Sequence, residues 1–293
     1  MSPVTYEEAT SRNAGFLTDA EQRRLRESRV FVCGVGGMGG AAVHSLVRAG
    51  VGRLAIADFD VFEATNLNRQ LFATAETIGR SKVDATVEGL LRINPGLEIV
   101  TYGADWVDRL DEILPGSDVV VNAMDDARAA IRLYRAARRH PTTVVDAWTS
   151  PHPSVTCVAP DDPRPEEWLG FPTVGVADDA LDEAMLAEAL LAELSFVAAV
   201  SRGISRLDPR IVAEILRGER PRSSFAPIVL VAGNLMAFEA IGALLGRPSG
   251  AGPRGYFVDP WTGTVERPGP APLVALRRRF TLRRLRSAAG VAA

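Results

Sequence analysis

Lysine is almost missing from this chain. Of 33 Lys and Arg side chains in 293 residues, 32 are arginine and only Lys82 is lysine. Cysteine is nearly as scarce. Cys33 and Cys157 both sit in apolar runs of strand length, which excludes a disulfide framework and fits buried core thiols in a reducing compartment. A net charge of -3 shows no basic excess, so a general affinity for nucleic acid or membrane is not expected. No secretory signal is evident, and no uninterrupted apolar run reaches the roughly 20 residues that cross a bilayer. A cytoplasmic protein is expected. Repeats and low-complexity tracts are absent as well. Hydrophobic residues at 47% and charged residues at 24% are ordinary globular values, and the length allows one large α/β domain or two small ones.

What is present gathers between Val30 and Lys82. An apolar strand, Val30 to Cys33, breaks into Gly34-Val35-Gly36-Gly37-Met38-Gly39-Gly40 and then into an Ala- and Leu-rich helical run to Ala49. Strand, glycine turn and helix make an entrance for phosphate, because glycines let the backbone approach closely and the helix N-terminus offers unpaired N–H groups. A second strand, Arg53 to Ala57, ends in Asp58, about twenty residues past the turn, where a ribose hydroxyl is held. Gly34, Gly36 and Gly39 alone would suit a dehydrogenase equally well.

The continuation is less common. Asp58-Phe59-Asp60, Asn66-Leu67-Asn68-Arg69-Gln70 and Gly79-Arg80-Ser81-Lys82 put polar and cationic groups beyond the second strand. There Asn66, Arg69 and Lys82 can surround a triphosphate, for which a nicotinamide cofactor has no need. In a chain that otherwise uses arginine, a flexible ammonium at this place points to phosphate chemistry.

Gly-x-Gly-Gly-x-Gly, Asp-x-Asp, Asn-x-x-Arg-Gln and Gly-x-x-Lys, in this order, resemble the ThiF/MoeB/HesA family, bacterial relatives of ubiquitin-activating enzymes. The likeness runs from Ser11-Arg12-Asn13 through Asp125-Asp126 and more loosely to Glu239, roughly residues 10 to 265. It implies an ATP- and magnesium-dependent adenylyltransferase. Gly34, Gly36, Gly37, Gly39, Asp58, Asp60, Asn66, Arg69, Gln70, Lys82 and Asp126 would bind nucleotide. Asp125 would handle Mg2+, and Asp126 stands where the family usually has asparagine. Arg12 would reach the site of a second subunit, making a homodimer. With Arg69, Lys82 and Asp125, it forms the implied catalytic set.

Two cysteines cannot furnish the four thiolates of the zinc site that sulfur-carrier activators in this family bear, so no zinc is expected. Nor is there a cysteine in the crossover segment, and neither thiol looks activated, so an enzyme thioester is not expected. The acyl adenylate would be attacked directly by another nucleophile. The substrate carboxylate would belong to a small acid, a modified nucleoside or a peptide or protein C-terminus.

The expected fold is α/β: a doubly wound, Rossmann-like, mainly parallel sheet with a helical insertion and a C-terminal hairpin. Residues 1–160 would form an N-terminal arm and the nucleotide-binding part, 161–225 a helical crossover insertion, 226–270 a return helix and terminal strands, and 271–293 a basic tail. Thr18 and Glu21 mark a capping box before a helix to Arg26. Asp118 to Ala123 reads as a central strand whose end presents Asp125 and Asp126, either of which can cap the following helix, Ala127 to Arg139. Thr143 to Ala147 reads as a further strand, leading to an exposed turn from Trp148 to Pro153. Trp148 and His152 are candidates for lining the acyl side, although His152 has no evident Ser or acid partner to orient it. Glu239 reads as structurally paired. Six arginines between Arg277 and Arg286 read as a solvated tail, with RNA or another polyanion as the less favoured explanation. The competing functions are an NAD-dependent oxidoreductase and a dimeric nucleotide-binding scaffold without turnover.

Overall fold

The computed structural model describes residues 4–148 and 150–289; Thr149, in the turn after Trp148, and residues 290–293 of the expected tail lie outside them. Among the described residues, eight strands form one sheet: β1 (Arg29–Cys33), β2 (Arg53–Ala57), β3 (Glu98–Tyr102), β4 (Val119–Asn122), β5 (Thr143–Asp146), β6 (Ser154–Val158), β7 (Tyr256–Asp259) and β8 (Thr264–Glu266). Their order is β3-β2-β1-β4-β5-β6-β7-β8. The first five are parallel and the last three antiparallel.

Helices of eight or more residues are α1 (Asp19–Glu27), α2 (Gly37–Ala49), α3 (Lys82–Ile93), α4 (Ala127–Arg139), α5 (Glu183–Val200), α6 (Pro209–Leu216), α7 (Ala226–Leu244) and α8 (Ala271–Ala289). The capping box that sets the start of α1 is complete, with Thr18 and Glu21 bonding each other's backbone N–H.

The central strands are buried on both faces, which is why they read as continuous apolar runs instead of alternating ones. On β1, Val30 and Val32 pack in the core that includes Ala42, Leu46 and Met236 of α2 and α7. Phe31 and Cys33 face the opposite core, with Leu133 and Ala136 of α4. The chain winds outward from β1 to β3 and then returns to begin again at β4. This leaves the topological switch between β1 and β4, whose carboxyl ends border the crevice where ligands bind in such sheets.

One element differs from its sequence reading. The arginine cluster lies in α8, which packs along α5. Arg278 turns inward and donates to the Leu169 carbonyl at 2.9 Å, and Arg286 pairs with Glu188 at 2.6 Å. Arg277, Arg279, Arg283 and Arg284 remain exposed, so the cluster is one face of a packed helix and not a free tail. The expected return helix is α7, which by length and composition alone could also cross a membrane. It instead lays one face against α2 and the sheet through Ala232, Met236, Ala237, Ala240 and Leu244.

A third apolar cluster ties the insertion to the hairpin. Trp148, Leu169, Phe196, Val197 and Phe257 are all buried there, with the Trp148 and Phe196 rings edge-on at 5.3 Å. The insertion thus closes over the end of β5.

Candidate functional site

The turn after β1 fits only glycine at two places. Gly34 has φ +82°, and an added Cβ would meet the Ala123 carbonyl oxygen at 2.9 Å. At Gly39 a Cβ would fall 1.8 Å from the Gly34 carbonyl oxygen, so the first turn of α2 rests directly on the loop. Ala123, just past β4, thereby abuts the glycine loop, and β1 and β4 deliver their C-terminal ends to one place. Gly36, the N-cap of α2, has no side-chain cap, so the helix's first N–H groups meet no capping side chain there.

Asp58 holds this loop to the end of β2. Its Oδ2 accepts the Val35 N–H at 2.9 Å and its Oδ1 the Asp60 N–H at 3.0 Å, and each oxygen keeps a lone pair for a hydroxyl. The segment from Asn66 to Gln70 packs over the glycines. A Cβ at Gly36 would sit 3.4 Å from Gln70 Nε2, and one at Gly37 would sit 3.7 Å from Arg69 Cγ. Asn66 is buried, its Oδ1 accepting the Glu63 N–H. Arg69 donates to the Thr65 carbonyl and Asn68 Oδ1 at 2.9 and 2.8 Å. Gln70 Oε1 is buried without a hydrogen-bond partner among the described residues, an open acceptor beside the loop. Lys82, at the start of α3, is buried, and its Nζ meets Asp60 Oδ2 at 2.8 Å.

Asp125 and Asp126 follow β4 and differ in use. Asp126 is the N-cap of α4, its Oδ1 accepting the Ala129 N–H at 3.0 Å. Asp125 is exposed and makes no hydrogen bond or ion pair among the described residues. An open carboxylate of this kind suits Mg2+, which typically takes one or two carboxylates plus phosphate oxygens and keeps several waters.

Arg12 is not brought to this site. Its short helical turn, Ser11–Asn13, is tied to the far end of α2, where Asn13 Nδ2 donates to the Ala49 carbonyl at 3.1 Å. Thirteen residues of helix separate that end from the glycine loop, roughly 20 Å at 1.5 Å per residue.

Beside the switch point, a cavity of about 550 Å³ opens between α4, α5 and the ends of β4 and β5. Asp125, Asp126, Tyr134, Asp146, Trp148 and Phe171 contribute to its lining. Trp148 contributes to the cavity lining, whereas His152 is buried and does not. His152 does have partners. Ser201 Oγ and Glu266 Oε2 each lie 3.2 Å from its Nδ1, and Asp259 Oδ1 lies 3.7 Å from its Nε2. The cluster clamps the turn after β5 to the insertion and hairpin.

Sequence reasoning passed over Asp146. It closes an apolar strand with an acid, as Asp58 does after β2, and that was the available signal. Burial pushes its carboxyl up to about 6, against the opposing hydrogen bonds from the Ala147 N–H, Tyr134 and Asn122. The two cysteines are buried, and desolvation raises both thiols, Cys157 to about 11 and Cys33 well above its ordinary value. Neither resembles an activated nucleophile. Glu239 accepts from Ser249 Oγ at 2.6 Å, a structural pairing.

A family model described as the ThiF family matches residues 10–272. Molybdopterin-synthase adenylyltransferase of Salmonella typhimurium is 37% identical over 106 residues, which are 36% of this chain and 43% of that protein. Protein HesA of Leptolyngbya boryana is 29% identical over 228 residues, 72% of this chain and 76% of that protein. Among solved structures, E. coli MccB with ATP shares the fold at a TM-score of 0.63 and 17% identity, over 90% of this chain and 73% of that one. The chain spans less than half the length of the first curated relatives it matches.

Proposed function

The chain belongs to the ThiF family, and from that premise we propose that it is an ATP- and Mg2+-dependent adenylyltransferase acting on a carboxylate. The carboxylate attacks the α-phosphorus of ATP, pyrophosphate leaves, and an acyl adenylate remains for a second nucleophile. The observation that carries this reading is the convergence of the glycine loop, the Asn66–Gln70 segment, the Lys82–Asp60 pair and the open Asp125 at one topological switch point. Fixed positive groups and helix N–H groups there lower the barrier by meeting charge on the leaving phosphates.

In this reading Gly34, Gly36, Gly37 and Gly39 cradle phosphate. Asp58 holds the ribose, and Asp60 and Asp126 steady Lys82 and α4. Asn66, Arg69, Gln70 and Lys82 bear on the triphosphate. Asp125 supplies the protein ligand to Mg2+, which would neutralise phosphate charge. The segment 161–225 covers the acyl side, where the cavity has room for a small acid or a short peptide end. No thioester and no structural zinc belong to this mechanism, since both cysteines are buried and four thiolates are not available. A reducing, cytoplasmic compartment suits them.

A homodimer completes the site. Arg12 is exposed and sits roughly a helix length, about 20 Å, from its own glycine loop, a distance that favours service to a neighbouring subunit. Phe16 near it and Phe238 on α7 are left 85% and 75% exposed, apolar surface that a second copy would cover.

The oxidoreductase reading is weaker, because the one histidine in its plausible loop, His152, is buried and engaged by Ser201 and Glu266. ATP–pyrophosphate exchange with a panel of carboxylates tests the proposal: exchange that depends on both the acid and Mg2+ is expected. Hydride transfer from NADH without such exchange would refute it.

A further inference from the structure

The cavity beside the nucleotide crevice carries at its floor a carboxylate that adenylation does not itself require. Asp146 ends β5, and three donors fix its position. Asn122 Nδ2 and Tyr134 Oη donate to Oδ2 at 2.8 and 2.9 Å, and the Ala147 N–H donates to Oδ1 at 2.6 Å. A carboxylate offers about four lone-pair sites, so Oδ1 keeps one for a ligand. Asn122 is also bound to the loop before Asp125, its Oδ1 accepting the Met124 N–H at 3.3 Å. Asn122 thus links Asp146 to the backbone one residue before Asp125, and both carboxylates line the same cavity.

The rest of the lining fits the same ligand charge. Tyr134, Trp148 and Phe171 give an apolar wall; of the lining acids Glu166 and Glu183 are neutralised by Arg135 and Arg128, whereas Asp125 and Asp146 hold no ion pair among the described residues. Of the two arginines, Arg128 is already bound to the Leu181 carbonyl and to Glu183, and Arg222 is exposed on the loop before α7. An acid with no other charge would be repelled by this lining, whereas one that also bears a cation would be attracted to it.

We propose that Asp146 anchors a primary ammonium group carried by the same molecule whose carboxylate is activated, so that the substrate is a zwitterion of the amino-acid or short-peptide class. The inference rests on the adenylation reading above. Near neutral pH Asp146 is ionised, while a peptide α-ammonium with an ordinary pKa of about 8, or a side-chain ammonium, is mostly protonated, so the pair is charged on both sides.

The test is ATP–pyrophosphate exchange by the full chain at about pH 7.5, where both partners are charged. Amino acids and di- and tripeptides are each paired with the analogue lacking the amine, for the wild type and for Asp146→Asn. Thermal stabilisation by Mg-ATP is followed in parallel. We expect at least one ammonium-bearing acid to support exchange, with its deaminated analogue about tenfold to a hundredfold worse in kcat/KM, the scale of a hydrogen bond between charged groups. Asp146→Asn should erase that preference through KM while stabilisation by Mg-ATP persists. Tyr134→Phe, which keeps the charge, should retain the preference. Equal exchange by both members of every pair would overturn the inference, as would a preference that survives Asp146→Asn. It would also be overturned if no ammonium-bearing acid supported exchange while Mg-ATP still stabilised the protein. Exchange indifferent to the substrate amine, with AMP release dependent on an added amine, would assign the ammonium to the acceptor and overturn it too. Failure of Mg-ATP to stabilise the wild type would bring down the adenylation reading itself, and the inference with it.

Discussion

Lys82 Nζ lies 2.8 Å from Asp60 Oδ2, and the Lys82 N–H donates to the Asp60 carbonyl at 2.9 Å. The chain's single lysine is thus held twice by the second acid of the Asp58-Phe59-Asp60 motif. Its side chain is only 10% exposed, whereas Asp60's is 56% exposed. The ammonium is therefore positioned before any phosphate arrives, and the partner that positions it faces solvent.

Replacing Lys82 with Ala should lower pyrophosphate exchange by about a hundredfold or more, the scale seen when a fixed group meeting transition-state charge is removed. The fold should survive, at a cost of about 1 kcal/mol, because a pair with one exposed member contributes little. Chemical denaturation and exchange kinetics on the same preparation separate the two effects.

Arg12 lends itself to a mixing experiment. If it serves the other subunit, Arg12→Ala and Lys82→Ala are each inactive alone. When mixed and allowed to exchange subunits, about a quarter of wild-type activity should return, since half the dimers are mixed and each has one intact site. Activity that stays absent, in a mixture shown to contain mixed dimers, would place Arg12 elsewhere.

Gly39→Ala should damage the loop by sterics alone. The new Cβ would fall 1.8 Å from the Gly34 carbonyl oxygen, with Ala123 Cβ at 3.1 Å on the other side. Overpacking of this kind costs about 1–3 kcal/mol, and stabilisation by Mg-ATP should be lost as well. Urea unfolding with and without nucleotide reads both.

Asp146 predicts a pH dependence of stability. Burial raises its carboxyl from an ordinary 3.8 to about 6, so between those values the folded state binds the proton that the unfolded state has released. The penalty is absent below about pH 4, grows as pH rises, and is complete above about pH 6. The stability of the wild type relative to Asp146→Asn should therefore fall as pH rises through that window. Denaturant midpoints at pH 4, 5, 6 and 7 check this, and a flat difference would contradict it.

The fold was legible where chemistry is local. The glycine turn, the Thr18 and Glu21 capping box, the apolar helix found at Ala226–Leu244 and the hairpin around Gly263 each depend on a few neighbouring residues. Distant contacts were not legible. His152 looked isolated because its partners lie at Ser201, Asp259 and Glu266, brought to it only when the insertion and hairpin close. Asp146 was hidden for the same reason, its donors Asn122 and Tyr134 coming from another strand and from a helix. In α8 the run of arginines masked the contacts by which Leu285 and Arg278 turn toward the body of the protein. Even at the site, Asp126 had two readings until the structure made it the cap of α4.

The most direct measurement is thermal unfolding of the wild type with Mg-ATP and, separately, with NAD. A ligand at about a thousand times its dissociation constant adds roughly 4 kcal/mol, an unmistakable rise in Tm. Adenylation predicts that rise with Mg-ATP and its loss in Lys82→Ala, with no response to NAD. A rise with NAD that is indifferent to Lys82, and none with Mg-ATP, would contradict the account.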